Sequence, residues 1–221
     1  MEDVGPGEAN ERRPGEMSDK RRERVRLEIS REASRLFWEH GVDGTTGEQI
    51  AEAVGLSVRT IWRYFRNKES CAEPVLSQDV EEFVAVLRGW PREVSLEDHL
   101  VEWATNRTRD SDQQAYDLAV MRMMVLAETE PALRTAWLMA CDRAEHELVG
   151  IFAERLRRPV DDLEVRLHAA AVMSVVRVID EYGSAAILSG ADPGADGNLL
   201  ERMAQAMRVA TGGLLGDPVE P

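Results

Sequence analysis

Cysteine is scarce in this chain, and long apolar runs are missing. The 221 residues include only Cys71 and Cys141, too few for a disulfide framework and without the neighbour spacing of a metal site. We interpret both as structural thiols. No apolar run approaches the ~18 residues that cross a membrane. The first 20 residues are polar and lack the apolar core of a signal peptide. These absences predict a cytoplasmic protein without membrane contact.

Catalytic and metal-binding patterns are also lacking. Neither a Ser/His/Asp or Cys/His set nor a glycine-rich phosphate loop occurs in a workable context. His146 stands between Glu145 and Glu147, but neighbours on a helix point about 100° apart and cannot converge on one ion. Asp142 and His146 could supply two ligands, which falls short of a closed site. We therefore predict no enzymatic activity, no metal and no cofactor.

Positive charge is in deficit, with a formal net charge of -14, and it is concentrated near the amino terminus. Residues 20–70 carry +3, whereas residues 71–221 carry -13. An acidic body behind a basic front would repel nucleic acid except at one surface. A group of basic residues at or before the start of the first helix could contact DNA or belong to a solvated tail: Arg12, Arg13, Lys20, Arg21, Arg22, Arg24 and Arg26.

Residues 45–65 have the pattern of two short helices joined by a tight turn. Thr45 or Thr46 can cap the first helix, since each begins a capping-box pattern, with Glu48 and Gln49 respectively. Gly55 follows the last apolar position of that helix and suits the left-handed conformation found at helix ends. A turn this short makes the two helices cross steeply, as in helix-turn-helix motifs.

Ser57 is a second N-cap and opens the following helix. An N-capped helix presents free amide protons at its start, which suits a phosphate. The alternative is an amphipathic helix that happens to be basic. The spacing predicts that Val58, Ile61 and Phe65 point inward, while Arg59, Thr60 and Arg63 point outward.

The rest of the chain is also predicted to be helical. Apolar residues recur at helical spacing over 21–40, 67–89, 95–108, 112–128, 131–157, 161–188 and from 196 or 198 to 212. Pro74 predicts a kink or a late helix start in the second of these segments. No internal repeat and no alternation long enough for a strand is present in the sequence. The fold class is therefore all-α.

Residues 169–176 are apolar nearly all the way round a helix, which predicts burial on all sides. In a domain this small, the second surface that covers them could be another subunit, or the segment could belong to an ordinary intrachain core. Apolar residues of the last helix would join a four-helix interface across a twofold axis: Leu199, Leu200, Met203, Met207 and Val209.

The middle helices concentrate adaptable apolar bulk, because methionine fills irregular gaps and lines promiscuous surfaces. These residues are either a loosely specified core or the lining of a cavity. Arg177 could meet an anionic ligand or pair with Asp180 or Glu181, and we favour the pairing. The apolar residues concerned are Met121, Met123, Met124, Met139 and Met173 with Trp103, Trp137 and Phe152.

One set of positions forms a pattern along residues 22–70: Gly41, Thr45-Thr46, Ile50-Ala51, Gly55-Leu56-Ser57, Trp62-Arg63-Tyr64-Phe65 and Lys68-Glu69. With this pattern, residues 22–70 resemble the DNA-binding domain of TetR-type transcriptional regulators. Three positions depart from it: Gly47 replaces a β-branched or Met side chain, Trp62 replaces Tyr, and Arg59 replaces a small residue. No operator can therefore be transferred from relatives.

The resemblance implies a three-helix DNA-binding head with a helix-turn-helix, followed by a larger C-terminal helical domain for ligand binding and dimerisation. We place a disordered arm at 1–19, the head at 20–66, the C-terminal domain at 67–215 and a tail at 216–221. Residues 115–215 are similar to a subgroup typified by mycofactocin-system regulators and associated with acyl-CoA-like ligands. The resemblance is carried by Arg122-x-Met124, Pro131-Ala132-Leu133-Arg134 and the Ala-rich helix.

The implied function is that of a homodimer, joined by its last two helices, that binds a double-stranded, pseudo-palindromic DNA operator. A small apolar or acyl-CoA-like effector would relieve repression. The alternative is a helical small-molecule-binding or scaffolding protein without DNA readout. The predicted DNA-binding residues are Thr45, Thr46, Ser57, Val58, Arg59, Thr60, Trp62, Arg63, Tyr64 and Lys68, and the predicted ligand-pocket residues are Trp103, Met121, Met124, Trp137, Phe152, Met173 and Arg177.

Among the DNA-binding residues, two roles are expected. Arg59, Thr60 and Arg63 would contact base edges, with arginine preferring guanine. Phosphate contacts, which fix the position of the protein but not the sequence it reads, would be made by Thr46, Ser57, Trp62, Tyr64 and Lys68.

Overall fold

The computed structural model describes residues 14–107, 110–192 and 199–219. Over these ranges the chain contains helices and no strand, which confirms the predicted all-α class. The helices are α1 (Pro14–Gly44), α2 (Gly47–Ala53), α3 (Val58–Tyr64), a 3₁₀ turn (Glu69–Ala72), α4 (Glu73–Arg88), α5 (Leu96–Asn106), α6 (Ser111–Leu126), α7 (Pro131–Leu156), α8 (Leu163–Leu188) and α9 (Leu199–Ala210).

Helix α1 begins earlier than the sequence pattern indicates. Residues 14–19, placed in the predicted disordered arm, are helical, and residues 1–13 lie outside the described part of the chain. Gly41 adopts φ 76° and ψ 160° and interrupts the helix, as predicted. A side chain at that φ would be strained, so glycine is the residue that allows this break.

Helix α4 starts late, as the position of Pro74 predicts. Residues 69–72 form a 3₁₀ turn, and α4 follows with Pro74 in its first turn. The first turn of a helix has no intrahelical acceptor for its amide protons, so proline costs nothing there. Asn67 Oδ1 accepts from the amide of Ser70 at 2.9 Å and organises this junction between head and body.

Four helices form the centre of the C-terminal domain. Helix α4 packs against α6 and α7, and α8 packs against the same two helices from the other side. Helices α4 and α8 therefore occupy opposite corners of a four-helix arrangement. Large side chains fill much of its interior, including Tyr116, Met123, Leu133, Trp137 and Phe152. Helix α1 packs against α4, α6 and the 3₁₀ turn and so joins the head to this body.

Arg155 ties the end of the chain to the body. Its guanidinium is buried, lies 3.3 Å from the centre of the Trp90 ring, and donates to the carbonyls of Pro91, Arg92, Val94 and Asp217 at 3.2–3.4 Å. Burial lowers the pKa of Arg155 to about 10. This contact could not be predicted from the sequence, because the groups that Arg155 binds are backbone carbonyls.

Part of the predicted tail is bonded to the rest of the domain. The carbonyl of Gly216 accepts from the amide of Leu96 at 2.8 Å, and the amide of Val219 donates to the carbonyl of Arg92, also at 2.8 Å. The last residues before 220 are thus part of the helical domain. No described helix is long and apolar enough to cross a membrane.

Helix α8 is buried on one side only in the single chain. Ala169, Val172 and Val176 face the core, whereas the opposite face carries an apolar stripe in contact with solvent. Leu163, Leu167 and Val178 of this stripe are 67%, 57% and 53% exposed. Within residues 169–176, predicted to be buried on all sides, Ser174 is exposed, so the burial of this segment is incomplete within one chain.

Candidate functional site

Helix α2 begins at a complete capping box. The amide of Gln49 donates to Thr46 Oγ1 at 3.3 Å, and the amide of Thr46 donates to Gln49 Oε1 at 2.7 Å. Of the two predicted capping boxes, the one that begins at Thr46 is confirmed. Thr45 has another role, since its buried hydroxyl donates to the carbonyl of Gly41 at 2.8 Å. The assignment of Thr45 to the DNA-binding surface was wrong, because this hydroxyl is enclosed at the end of α1.

The turn and the second cap match the sequence prediction. Gly55 has φ 65°, the left-handed conformation expected of it. Ser57 Oγ accepts from the amide of Thr60 at 3.2 Å and lies 2.8 Å from the Thr60 hydroxyl. Ile61 is buried, and Val58 is half-buried against the core. The inner face of α3 therefore anchors the helix and leaves the other face open.

The open face of α3 presents two arginines. Arg59 and Arg63 are exposed, and Thr60 lies half-buried between them. The Arg63 guanidinium lies 5.3 Å from the ring centre of Tyr64, within the range of a cation–π contact. Together with the exposed caps Thr46 and Ser57, this face offers planar hydrogen-bond donors beside a helix start.

The beginning of α1 contributes further positive charge to the same side of the head. Arg21 and Arg22 line a cleft of about 560 Å³ together with Arg63 and Tyr64. Arg22 also lies 6.0 Å from the centre of the Tyr64 ring. The sequence left open whether these arginines belong to a tail. Their helical placement beside α3 adds them to the candidate site.

Two of the departures from the family pattern are neighbours in space. A Cβ atom added at Gly47 would lie 2.8 Å from Trp62 Cη2 and closer still to another atom of the indole. Trp62 therefore occupies the volume that a larger residue at position 47 would fill, and it remains 41% exposed. Gly47 provides the space in which the indole packs.

Substituting Gly47 by valine is expected to destabilise the head and weaken DNA binding, because the indole must leave its site. Overpacking of this kind costs roughly 1–3 kcal/mol. The double variant Gly47→Val/Trp62→Tyr, which removes part of the clashing ring, should recover most of the loss. Thermal unfolding of the three proteins measures the coupling. Additive losses in the double variant would contradict the proposed packing of Trp62 against residue 47.

Lys68 is engaged within the protein. Its Nζ donates to the carbonyls of Val42 and Thr45 at 2.6 and 3.0 Å, with the carbonyl of Asp43 at 3.4 Å. These carbonyls follow the break in α1, where a cation is favourable. Lys68 therefore has a structural role at the end of α1, in addition to its predicted position on the DNA-binding surface. The contact could not be predicted from spacing along the sequence, because Lys68 and Val42 are 26 positions apart.

The predicted ligand-pocket residues separate into two groups. Met124, Trp137, Phe152 and Met173 are buried in the helical core, whereas Trp103, Met121 and Arg177 are only partly buried. The indole of Trp137 donates to Glu181 at 2.9 Å. Met139, counted among the adaptable core residues, lies at the surface.

Arg177 makes the pairing that we favoured. Its guanidinium lies 3.3 Å from Glu181, and Arg134 approaches the same carboxylate at 2.5 Å. The hydrogen bonds from Arg134 and Trp137 lower the pKa of Glu181 against the opposing effect of burial. Glu181 is thus ionised, and Arg134 and Arg177 share its single negative charge.

Two carboxyl groups of the domain have raised pKa values. Asp79 lies on α4 and Asp180 on α8, and both are partly exposed. Burial raises the pKa of Asp79 to about 7, with Glu82 and Asp117 adding to the shift and Arg107 opposing it. Burial and the nearby charge of Asp79 raise the pKa of Asp180 well above its usual value.

The raised pKa of Asp79 predicts a pH dependence of stability. Between pH 4 and 7 the folded protein holds a proton that the unfolded chain has lost, so this group makes unfolding easier as the pH rises. The variant Asp79→Asn should therefore gain stability relative to the wild type from pH 5 to pH 8, by about 2 kcal/mol after allowance for partial solvation. Urea unfolding at both pH values measures it, with exposed Asp142→Asn as control. Parallel pH profiles for wild type and Asp79→Asn would contradict the assignment.

A capped helix-turn-helix with an arginine-bearing second helix, joined to a larger helical body, defines a DNA-binding regulator of the helix-turn-helix class. Residues 29–75 match the family described as bacterial regulatory proteins, tetR family, and residues 97–212 match the MftR C-terminal domain. The chain belongs to the TetR family of bacterial regulatory proteins. It is a transcriptional regulator and not an enzyme.

Individual relatives agree with this placement. The HTH-type transcriptional regulator TcmR of Streptomyces glaucescens is 34% identical over 161 residues, which cover 71% of each chain. The HTH-type transcriptional repressor AcnR of Corynebacterium glutamicum is 30% identical over 145 residues, covering 64% of this chain and 69% of that protein. The structure of Salmonella enterica GusR superposes with a TM-score of 0.53 at 23% identity, over 86% of this chain and 94% of GusR, and supports the fold.

Proposed function

We propose that this protein is a homodimeric repressor that binds a pseudo-palindromic operator and is released from it by a small molecule. The observation that carries the proposal is the pair of exposed arginines, Arg59 and Arg63, on a helix N-capped by Ser57. A guanidinium can donate two hydrogen bonds to the major-groove edge of guanine. The relative AcnR is named a repressor, which favours repression over activation. Such a regulator would act in the cytoplasm, where the chromosome is.

The DNA-binding surface that we propose differs from the sequence prediction. Arg59, Thr60 and Arg63 would contact bases. Phosphates would be bound by the exposed caps and by the arginines at the start of α1. Thr45 and Lys68 are left out because their polar atoms bind the backbone near the end of α1, and Val58 is left out because it packs half-buried against the core. The proposed phosphate-binding residues are Thr46, Ser57, Trp62, Tyr64, Arg21 and Arg22.

Selection from a genomic library followed by salt titration tests DNA binding. For the selected fragment, the logarithm of the association constant should fall with the logarithm of salt concentration by a slope of about -0.9 for each phosphate neutralised. Several contacts in each of two heads would give a steep slope. If no fragment binds better than random DNA at moderate salt, the chain is a helical small-molecule-binding or scaffolding protein instead.

Dimerisation is proposed through α8 and α9. The exposed apolar stripe of α8, with Leu163, Leu167 and Val178, is what an interface between helices requires. A close approach already exists between these two helices, since a Cβ added at Gly183 would lie 2.7 Å from Leu199 Cδ2. Two copies of the pair would build a four-helix interface across a twofold axis. A twofold dimer in turn calls for a pseudo-palindromic site.

The double variant Leu167→Glu/Val178→Glu is expected to convert the dimer into a monomer, because charges would be buried without partners in the interface. Sedimentation velocity at micromolar concentration measures the change. Val101→Glu, at an exposed apolar residue of α5, is the control and should remain dimeric. Circular dichroism checks that each variant is folded. A dimeric double variant would place the interface elsewhere.

A further inference from the structure

An exposed tryptophan lies among the arginines of the DNA-binding face. Trp62 is three positions after Arg59 and directly before Arg63, so the three side chains emerge from one face of α3. Together with Thr60 they line an open cleft of about 790 Å³. The Trp62 side chain is 41% exposed, whereas Ile61 on the inner side of the helix is fully buried. Trp62 therefore belongs to the surface that we place against DNA.

Gly47 provides the site in which the indole of Trp62 is held. A Cβ atom at position 47 would lie 2.8 Å from Cη2 and 3.2 Å from Cε2 of the indole. The six-membered ring is therefore packed against the backbone at the start of α2. A ring that is already held by a second helix loses little conformational freedom on binding, so more of its contact energy contributes to affinity.

The chemistry of the indole limits what it can contact in the major groove. Base edges present hydrogen-bond donors and acceptors there, and the 5-methyl group of thymine is the apolar group among them. The indole has a single donor, its N–H, which stays available for the phosphate contact proposed above. The remainder of the ring is apolar, so it gains more from a methyl group than from the polar edges of the other bases.

We propose that Trp62, positioned by Gly47, determines specificity by contacting the 5-methyl group of a thymine in each operator half-site. Arg59 and Arg63 lie within one turn of helix of Trp62, so this thymine would neighbour the bases that the arginines contact. The inference rests on the proposed function, because it concerns the same surface bound to DNA. Positions 47 and 62, which depart from the family pattern, would then act as one unit.

Replacement of single thymines by deoxyuracil in the selected operator fragment tests the contact, because it removes only the methyl group. Fluorescence anisotropy at fixed salt measures the affinity of the full-length protein for each fragment. Deoxyuracil at one position of a half-site is expected to weaken binding about fourfold, the effect of one buried methyl group. The same change in both half-sites should weaken it by about an order of magnitude. If no thymine shows a loss, the proposal is overturned.

Variants assign the methyl contact to Trp62. Trp62→Ala should bind the thymine and deoxyuracil fragments equally, and selection with this variant should lose the preference for thymine at that position. Thr60→Ser keeps the hydroxyl that lies 2.8 Å from Ser57 Oγ but lacks the methyl group, and it should still discriminate. Retained discrimination in Trp62→Ala, or its loss in Thr60→Ser, would contradict the assignment.

Gly47→Ala tests the positioning of the ring. The variant adds only the Cβ atom for which the indole leaves no room. The ring should therefore move, and discrimination between thymine and deoxyuracil should fall to the level of Trp62→Ala. The double variant Gly47→Ala/Trp62→Ala should lose no further discrimination. Unchanged discrimination in Gly47→Ala would overturn the role given to Gly47.

Trp38→Ala is the matched control, since Trp38 is a tryptophan of similar exposure, 36%, that contacts Arg122 on α6. It should keep the wild-type affinity and discrimination. Circular dichroism verifies folding, and Trp62→Gln replaces Trp62→Ala if the alanine variant is unfolded. A selected fragment without a methyl-dependent position rejects this inference and leaves the proposed function standing. Failure to select any fragment rejects the proposed function and the inference with it.

Discussion

The double variant Arg59→Ala/Arg63→Ala is expected to lose operator binding by a factor of roughly 10² to 10⁴. Each arginine that contacts a base edge contributes about 1–3 kcal/mol, and the two side chains project from the same face of α3. Neither residue is buried, so the loss should occur without a change in stability. Fluorescence anisotropy with the selected fragment at fixed salt measures the affinity, and thermal unfolding verifies the fold.

The single variants separate base reading from charge. Arg59→Ala should relax the base preference at one position of the operator. Loss of a phosphate contact would instead weaken binding to all sequences equally and lower the salt slope by about one. Arg88→Ala removes a positive charge from the exposed end of α4 and should leave the affinity almost unchanged. A loss in Arg88→Ala equal to that of the head variants would show that only overall charge matters.

Replacement of Arg155 by methionine is expected to lower the free energy of unfolding by roughly 3–5 kcal/mol, because a buried acceptor that loses its donor costs about 1–3 kcal/mol and several carbonyls are affected. Methionine keeps much of the apolar volume on Trp90 but supplies no donor to the carbonyls of Pro91, Arg92, Val94 and Asp217. Buried carbonyls that lose their donors account for most of the cost. The segment after α9 should detach from α5 at the same time.

Urea unfolding measures the stability of Arg155→Met, and amide exchange at Leu96 and Val219 reports the detachment. Arg59→Met makes the same chemical change at an exposed position and should stay within about 0.5 kcal/mol of the wild type. Arg155→Lys keeps the charge but not the planar fork, so an intermediate loss is expected. A fully stable Arg155→Met would mean that the end of the chain is held by other contacts.

The local features of the head could be predicted because they depend on residues close in sequence. The caps at Thr46 and Ser57, the left-handed Gly55 and the late start at Pro74 each involve groups within a few positions. A capping hydroxyl or a missing amide proton acts over one turn of helix, so its effect can be read from spacing. The pairing of Arg177 with Glu181, four residues on, belongs to the same class.

The predictions that failed concern residues that contact distant parts of the chain. Thr45 and Lys68 have residue types that suit a DNA-binding surface, yet their polar atoms donate hydrogen bonds to carbonyls at the end of α1. Gly47 and Trp62 departed separately from the family pattern, and only their contact shows that one departure makes room for the other. Spacing along a helix cannot report such contacts, because the two groups belong to different helices.

The sequence by itself determined the all-helical class, the helix-turn-helix and the outward arginines, since periodicity and capping are local properties of the chain. Tertiary structure decided which polar side chains already have partners within the protein. Lys68 binds the end of α1, Arg155 binds the carboxyl-terminal segment, and Arg177 binds Glu181. The partner of each such group depends on which helices become neighbours, and only the packed fold sets that.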